Sequence, residues 1–112
     1  MPGTRQKRIF SFVQAAELLP EVRQLTEQAI SSVASLRARA EAGEAAAELQ
    51  RQADRVVQDW MLALQQRGVE VKGLWLIDFD NGSGYYCWSW PEPALEYYHS
   101  YEDGFGGRMR IH

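Results

Sequence analysis

The chain has a single cysteine, Cys87, so no disulfide can form within it, and a reducing compartment, the cytosol, is the expected setting. It has two histidines, His99 and His112, and neither stands in an H-x-x-x-H or C-x-x-C spacing. The compact signatures of zinc fingers and helix-borne metalloprotease sites are therefore missing. No uncharged apolar run is long enough to span a bilayer. Arg5, Lys7 and Arg8 near the start are not followed by the apolar stretch of a secretory signal. Positive charge is also scarce where it would matter for nucleic acid. Residues 1–72 carry ten Lys and Arg against nine acids, whereas residues 73–112 carry only Arg108 and Arg110 against six acids. The aromatic-rich part is thus the acidic part, and side chains that could stack on bases lie in a field that repels phosphate. Neither a nucleic-acid nor a membrane partner is expected.

What is present suits a packed core. At 112 residues, 46% hydrophobic and 24% charged, the composition is that of one globular domain. Ser11 and Gln14 fit a capping box ahead of a long apolar-periodic run. From Val13 to Ala40, Leu18, Val22, Leu25, Ala29, Val33, Leu36 and Ala40 recur at steps of three and four that close on eleven residues, which gives a nearly straight stripe. Pro20 interrupts this run, so a kink or a restart between Leu18 and Glu21 is expected. Gly43 reads as a C-terminal cap, and a second helix follows from about Glu44 to Gln66, with Leu49, Ala53, Val56, Trp60 and Leu64 on its stripe. So short a connection makes the two helices antiparallel neighbours.

After Gly68 the period changes to two. Val69–Lys72 alternates, Leu74–Phe79 is a dense strand, and Asp80-Asn81-Gly82-Ser83-Gly84 is a hairpin loop. Tyr85–Trp90 returns as a strand until Pro91-Glu92-Pro93 stops it. Residues 95–102 alternate again, and 108–112 reads as a tail. Arg8-Ile9-Phe10 is a further short strand candidate. The fold class is α+β: a helix hairpin over 13–67 and a small antiparallel sheet over 69–112, placed at the end of the hairpin or, as the alternative, along its flank. The sheet is too small to cover both helices. The wide stripe around Val56, Val57, Trp60, Met61 and Leu64 therefore predicts a homodimer built on the hairpins.

Several motifs bear a resemblance. The opening Phe12-Val13-Gln14-Ala15-Ala16-Glu17-Leu18-Leu19-Pro20-Glu21-Val22, the stretch Gly68–Lys72, and the ordered series Cys87-Trp88, Glu92-Pro93, Tyr97-Tyr98-His99 and Gly104-Phe105-Gly106-Gly107-Arg108 resemble a bacterial family known as domain of unknown function 2203. The resemblance implies a fold and a set of motif residues, with no activity attached. Asp78, Glu92, His99, Asp103 and Arg108 are the polar members, all in the β half. His99 with Glu92 and Asp103 suits a divalent metal, and Glu92, His99, Arg108 and Asp78 suit a small ligand. The plainer alternatives are a core His99 bonded to a carboxylate and packed beside Tyr97 and Tyr101, and an Arg108 paired with Glu92 or Asp78. His99, Glu92 and Arg108 are expected to approach one another. Cys87, in mid-strand, is expected to be a buried, inert thiol. No catalytic residue stands out. Two functions follow: a non-enzymatic, oligomeric interaction module whose β unit recognises a protein partner, or a small-ligand or divalent-metal-binding protein.

Overall fold

The computed structural model describes residues 8–111. Arg5, Lys7 and His112 lie outside the described residues. The first helix, α1, spans Phe12–Glu41. Its start is fixed by the expected capping box: the Gln14 amide donates to Ser11 Oγ at 3.1 Å, and the Ser11 amide donates to Gln14 Oε1 at 2.9 Å. Its end is a glycine cap. Gly43 takes φ +98°, and the Glu44 amide reaches back to the Arg39 carbonyl at 3.1 Å. The restart at Pro20 does not occur. The helix passes through it, with the proline on the exposed side, and lacks the hydrogen bond that Pro20 cannot give to the Ala16 carbonyl.

Helix α2 spans Ala46–Gln66. It begins two residues later than the periodicity suggests, with Glu44 still bonded to the α1 cap. At its far end Gly68, at φ +81°, repeats the device: the Val69 amide donates to the Leu64 carbonyl at 3.0 Å. A Cβ on Gly68 would also lie 2.6 Å from Arg8 Cβ, so that position excludes side chains twice over.

The two helices are antiparallel. Trp60 Nε1 donates to Thr26 Oγ1 at 2.9 Å, and Thr26 returns its own proton to the Val22 carbonyl at 2.7 Å. A second cross-link is the ion pair of Arg67 with Glu21. Five strands follow: β1 Glu70–Gly73, β2 Leu76–Asp80, β3 Tyr85–Ser89, β4 Tyr97–His99 and β5 Met109–Arg110. They form an antiparallel sheet in chain order. The tail therefore contributes a strand that its composition did not announce. Arg8–Phe10, by contrast, is not a strand, although the Phe10 amide donates to the Asp80 carbonyl at 2.7 Å and the Phe10 ring meets Phe79 edge-on at 5.1 Å.

One core joins Ala15, Leu19, Val22 and Ala29 of α1 and Trp60 and Leu64 of α2 to Val69, Ile77, Phe79, Trp88 and Leu95. The sheet thus lies along the flank of the open half of the hairpin rather than at its end. This removes one reason given for a dimer. Trp60 is only 3% exposed in the single chain, its ring 4.8 Å from that of Trp75. The half of the hairpin nearest its turn projects beyond the sheet.

Candidate metal centre

Strand alternation divides the sheet into two faces. Ile77, Phe79 and Trp88 point at the helices. Asp78, Asp80, Cys87 and His99 occupy the opposite phase, and all four are buried, Asp78 and Cys87 to 1% exposure and His99 to 4%. Their positions follow from two registers. The 81–84 loop pairs Asp80 with Tyr85, and this sets Asp78 opposite Cys87; the next hairpin sets Tyr85 opposite His99. A Cβ on Gly84 would lie 2.6 Å from the His99 carbonyl oxygen, so a glycine is required where β4 begins to leave the pair. From β4 the His99 imidazole reaches over β3 to Asp78.

The geometry restricts the protons. His99 Nδ1 lies 2.8 Å from the Ser100 carbonyl oxygen, which can only accept, so Nδ1 carries a hydrogen. Nε2 lies 3.0 Å from Asp78 Oδ2, and that bond needs one further proton, held by the imidazole or by the carboxyl. The pair therefore shares a single proton. Burial pushes the Asp78 carboxyl above its ordinary value, with the His99 imidazole pulling the other way. Burial, helped by Asp78 alongside, pushes the Cys87 thiol up to about 12. The Cys87 thiol lies beside the Asp78 carboxyl, and among the described residues no hydrogen-bond partner meets the buried Asp78 Oδ1. Such an atom is costly to leave unpaired.

Asp78, Cys87 and His99 each offer a ligand atom within 4.8 Å of the others. Two ligands of a tetrahedral zinc-like ion, each about 2.0–2.3 Å from it, stand roughly 3.3–3.8 Å apart, so modest contraction suffices. The His99 Nδ1–H to carbonyl bond is the arrangement that aims Nε2 of a metal-ligating imidazole. The cluster lies in the floor of a cleft of about 370 Å³ whose walls include Lys72, Tyr85, Tyr101, Glu102, Asp103 and Phe105. Around it, Lys72 bonds Glu70 at 3.0 Å, Tyr85 donates to the same Glu70 oxygen at 3.1 Å, and Tyr101 donates to Asp80 at 2.6 Å.

A family model described as Uncharacterized conserved protein (DUF2203) matches residues 8–111. The chain belongs to this family. The resemblance read from the Phe12–Val22 opening and the Gly104–Arg108 ending therefore holds over nearly the whole chain. No curated protein and no solved structure matches it.

The motif residues divide into two groups. Glu92 and Arg108 meet at 2.7 Å, as the plainer alternative for Arg108 supposed, and the other Glu92 oxygen accepts from the Ser89 amide at 2.9 Å. The Arg108 guanidinium also lies over the Tyr97 and Phe105 rings at 4.1 and 4.0 Å. These contacts fasten the tail. His99 turns instead to Asp78 and Ser100, with its ring 5.4 Å from Tyr85. Asp103 is exposed at the cleft margin, where its amide donates to Ser100 Oγ at 3.1 Å. Sequence reasoning passed over Cys87 as a ligand. The 80–84 loop read from the sequence closes on Phe79 and Tyr85 and sets residue 78 opposite 86; the structure closes it on Asp80 and Tyr85, which sets Asp78 opposite Cys87.

Proposed function

We propose that this protein binds a divalent metal of zinc type through Asp78, Cys87 and His99. The observation that carries the reading is Asp78 Oδ1: a buried carboxylate oxygen with no hydrogen-bond partner among the described residues, beside a buried thiol and an imidazole nitrogen. Each of the three is an ordinary zinc ligand, and a thiolate, a carboxylate and a neutral imidazole around a dipositive ion sum to a neutral site, which suits burial. Glu92 is left out of the ligand set because Arg108 and the Ser89 amide occupy its two oxygens. Titration of untagged protein with zinc against a chromophoric chelator tests this. One ion per chain is expected. Cys87→Ser and His99→Ala should each weaken binding by at least about 100-fold, beyond the loss typical of outer-shell partners, and Glu92→Gln should leave it unchanged. Undiminished binding in both ligand variants would refute the assignment.

A second reading concerns assembly, and it rests on the projecting half of the hairpin. There a groove of about 560 Å³ runs between the helices, floored by Val33, Leu36, Leu49 and Val57 and reached by Leu74, which is 62% exposed. Its occupant is a second copy of the chain. Arg37 stands on the α1 wall and Asp54 on the α2 wall, so a twofold axis along the groove sets each against its opposite in the partner. Light scattering across micromolar concentrations should give a mass twice that of one chain. Leu36→Glu should halve it, and a monomer that persists as concentration rises would end this reading.

A further inference from the structure

Resting on the metal reading, we infer that the site keeps one coordination position open to the cleft and that this position takes a flat, neutral nitrogen heterocycle. Three observations lead there. Among the described residues, Asp78, Cys87 and His99 are the only grouping of three or more candidate ligands. A tetrahedral ion held by three protein ligands keeps its fourth position for an exchangeable molecule. The cluster forms part of the cleft lining rather than being sealed from it, so that position faces a space large enough for a small organic ligand.

The second observation is the aromatic mouth. Tyr101 and Phe105 line the cleft yet remain 43% and 46% exposed. Both are anchored, Tyr101 by its bond to Asp80 and Phe105 by the Arg108 guanidinium, itself held by Glu92. Fixed, exposed aromatic walls favour a flat guest, since little ordering is left to lose on binding.

The third is charge. The loaded metal site is neutral. Lys72 is engaged by Glu70, and the remaining charged side chains of the lining are the acids Glu102 and Asp103. An acidic rim disfavours a carboxylate or phosphate head and favours a neutral donor whose N–H groups can bond the rim acids.

The experiment uses the full chain loaded with cobalt(II). A thiolate-to-cobalt charge-transfer band reports the metal site, and the visible d–d bands report the fourth position. Benzimidazole, imidazole and acetate serve as probes. Benzimidazole should shift the d–d bands at least about tenfold more tightly than imidazole, a gain in keeping with burying the added ring, and acetate should be weaker than both. Phe105→Leu should reduce the benzimidazole advantage several-fold while the charge-transfer band stays unchanged. A charge-transfer band with no response to benzimidazole overturns this inference and leaves the metal reading standing. Acetate binding as tightly as benzimidazole overturns the ligand class. Absence of the charge-transfer band removes the metal reading, and this inference with it.

Discussion

The two faces of the sheet are equally dry and chemically opposite. On the helix side, Ile77, Phe79 and Trp88 are fully buried against α1 and α2. On the outer side, Asp78, Asp80, Cys87 and His99 are as deeply buried, yet they stand outside the core shared with α1 and α2; the nearby cover includes Tyr101 and residues 102–105. Apolar burial needs no further explanation, since it stabilises by about 25 cal/mol per Å². Burying two carboxyls, a thiol and an imidazole costs stability unless each is satisfied, and Asp78 Oδ1 is not. The helix face holds the fold together, and the outer face carries a cost that binding a ligand would repay.

That contrast can be broken from either side. The largest effect belongs to the helix face. Trp88→Ala removes a fully buried indole, together with its 2.8 Å bond to the Glu92 carbonyl. It should cost about 3–5 kcal/mol in urea unfolding. On the outer face, His99→Ala strips Asp78 Oδ2 of its partner in the metal-free protein. A loss of about 1–3 kcal/mol is expected. On the proposed assignment, zinc should raise the melting temperature of the native chain and leave the variant's unmoved.

A pH-dependent effect isolates Cys87. Its folded thiol is held up to about 12, against an unfolded value near 8.5. The native state therefore keeps a proton that the unfolded state sheds. In the metal-free protein the stability contribution is present below about pH 8.5 and is lost as pH rises from there toward 12, by up to about 1.4 kcal/mol per pH unit. Cys87→Ala should flatten that slope relative to wild type. The native thiol should also resist a disulfide reagent at pH 8 and react on unfolding. Finest of all is the proton count. Zinc must displace the thiol proton and the one shared by Asp78 and His99, so calorimetry in buffers of different ionisation enthalpy should report about two protons released per ion. A count near zero would place the metal elsewhere.

The helices were legible because each signal is local: Ser11 and Gln14 at one end, Gly43 and Gly68 at the others, and steps of three and four between. Pro20 misled in one respect. A proline cost of about 3 kcal/mol invites a restart, but buried Ala15, Leu19, Val22 and Ala29 hold both sides of Pro20 in one core, and packing outweighs the missing bond. In the β half, alternation assigned the strands. The strand assignments put Asp78, Cys87 and His99 each in its own strand, without saying which of them meet. The loop signal was one residue out in register: read as 80–84 it pairs Asp78 with Tyr86, whereas closure on Asp80 and Tyr85 pairs Asp78 with Cys87. The connection from Trp90 to Glu96 contains no comparable signal, so the pairing that brings His99 over Asp78 could not be read. Glu92 stood both as a ligand candidate and, with Asp78, as a possible partner of Arg108; the structure gives it to Arg108, next to β5, a two-residue strand invisible to periodicity.

The central claim is that the outer face is a metal site built on Cys87, and X-ray absorption at the zinc edge of the loaded, untagged protein tests it most directly. The account predicts one sulfur scatterer at about 2.3 Å with the remaining nitrogen and oxygen ligands at about 2.0–2.2 Å, the sulfur disappearing in Cys87→Ser. A shell of nitrogen and oxygen alone in the wild-type protein would contradict it.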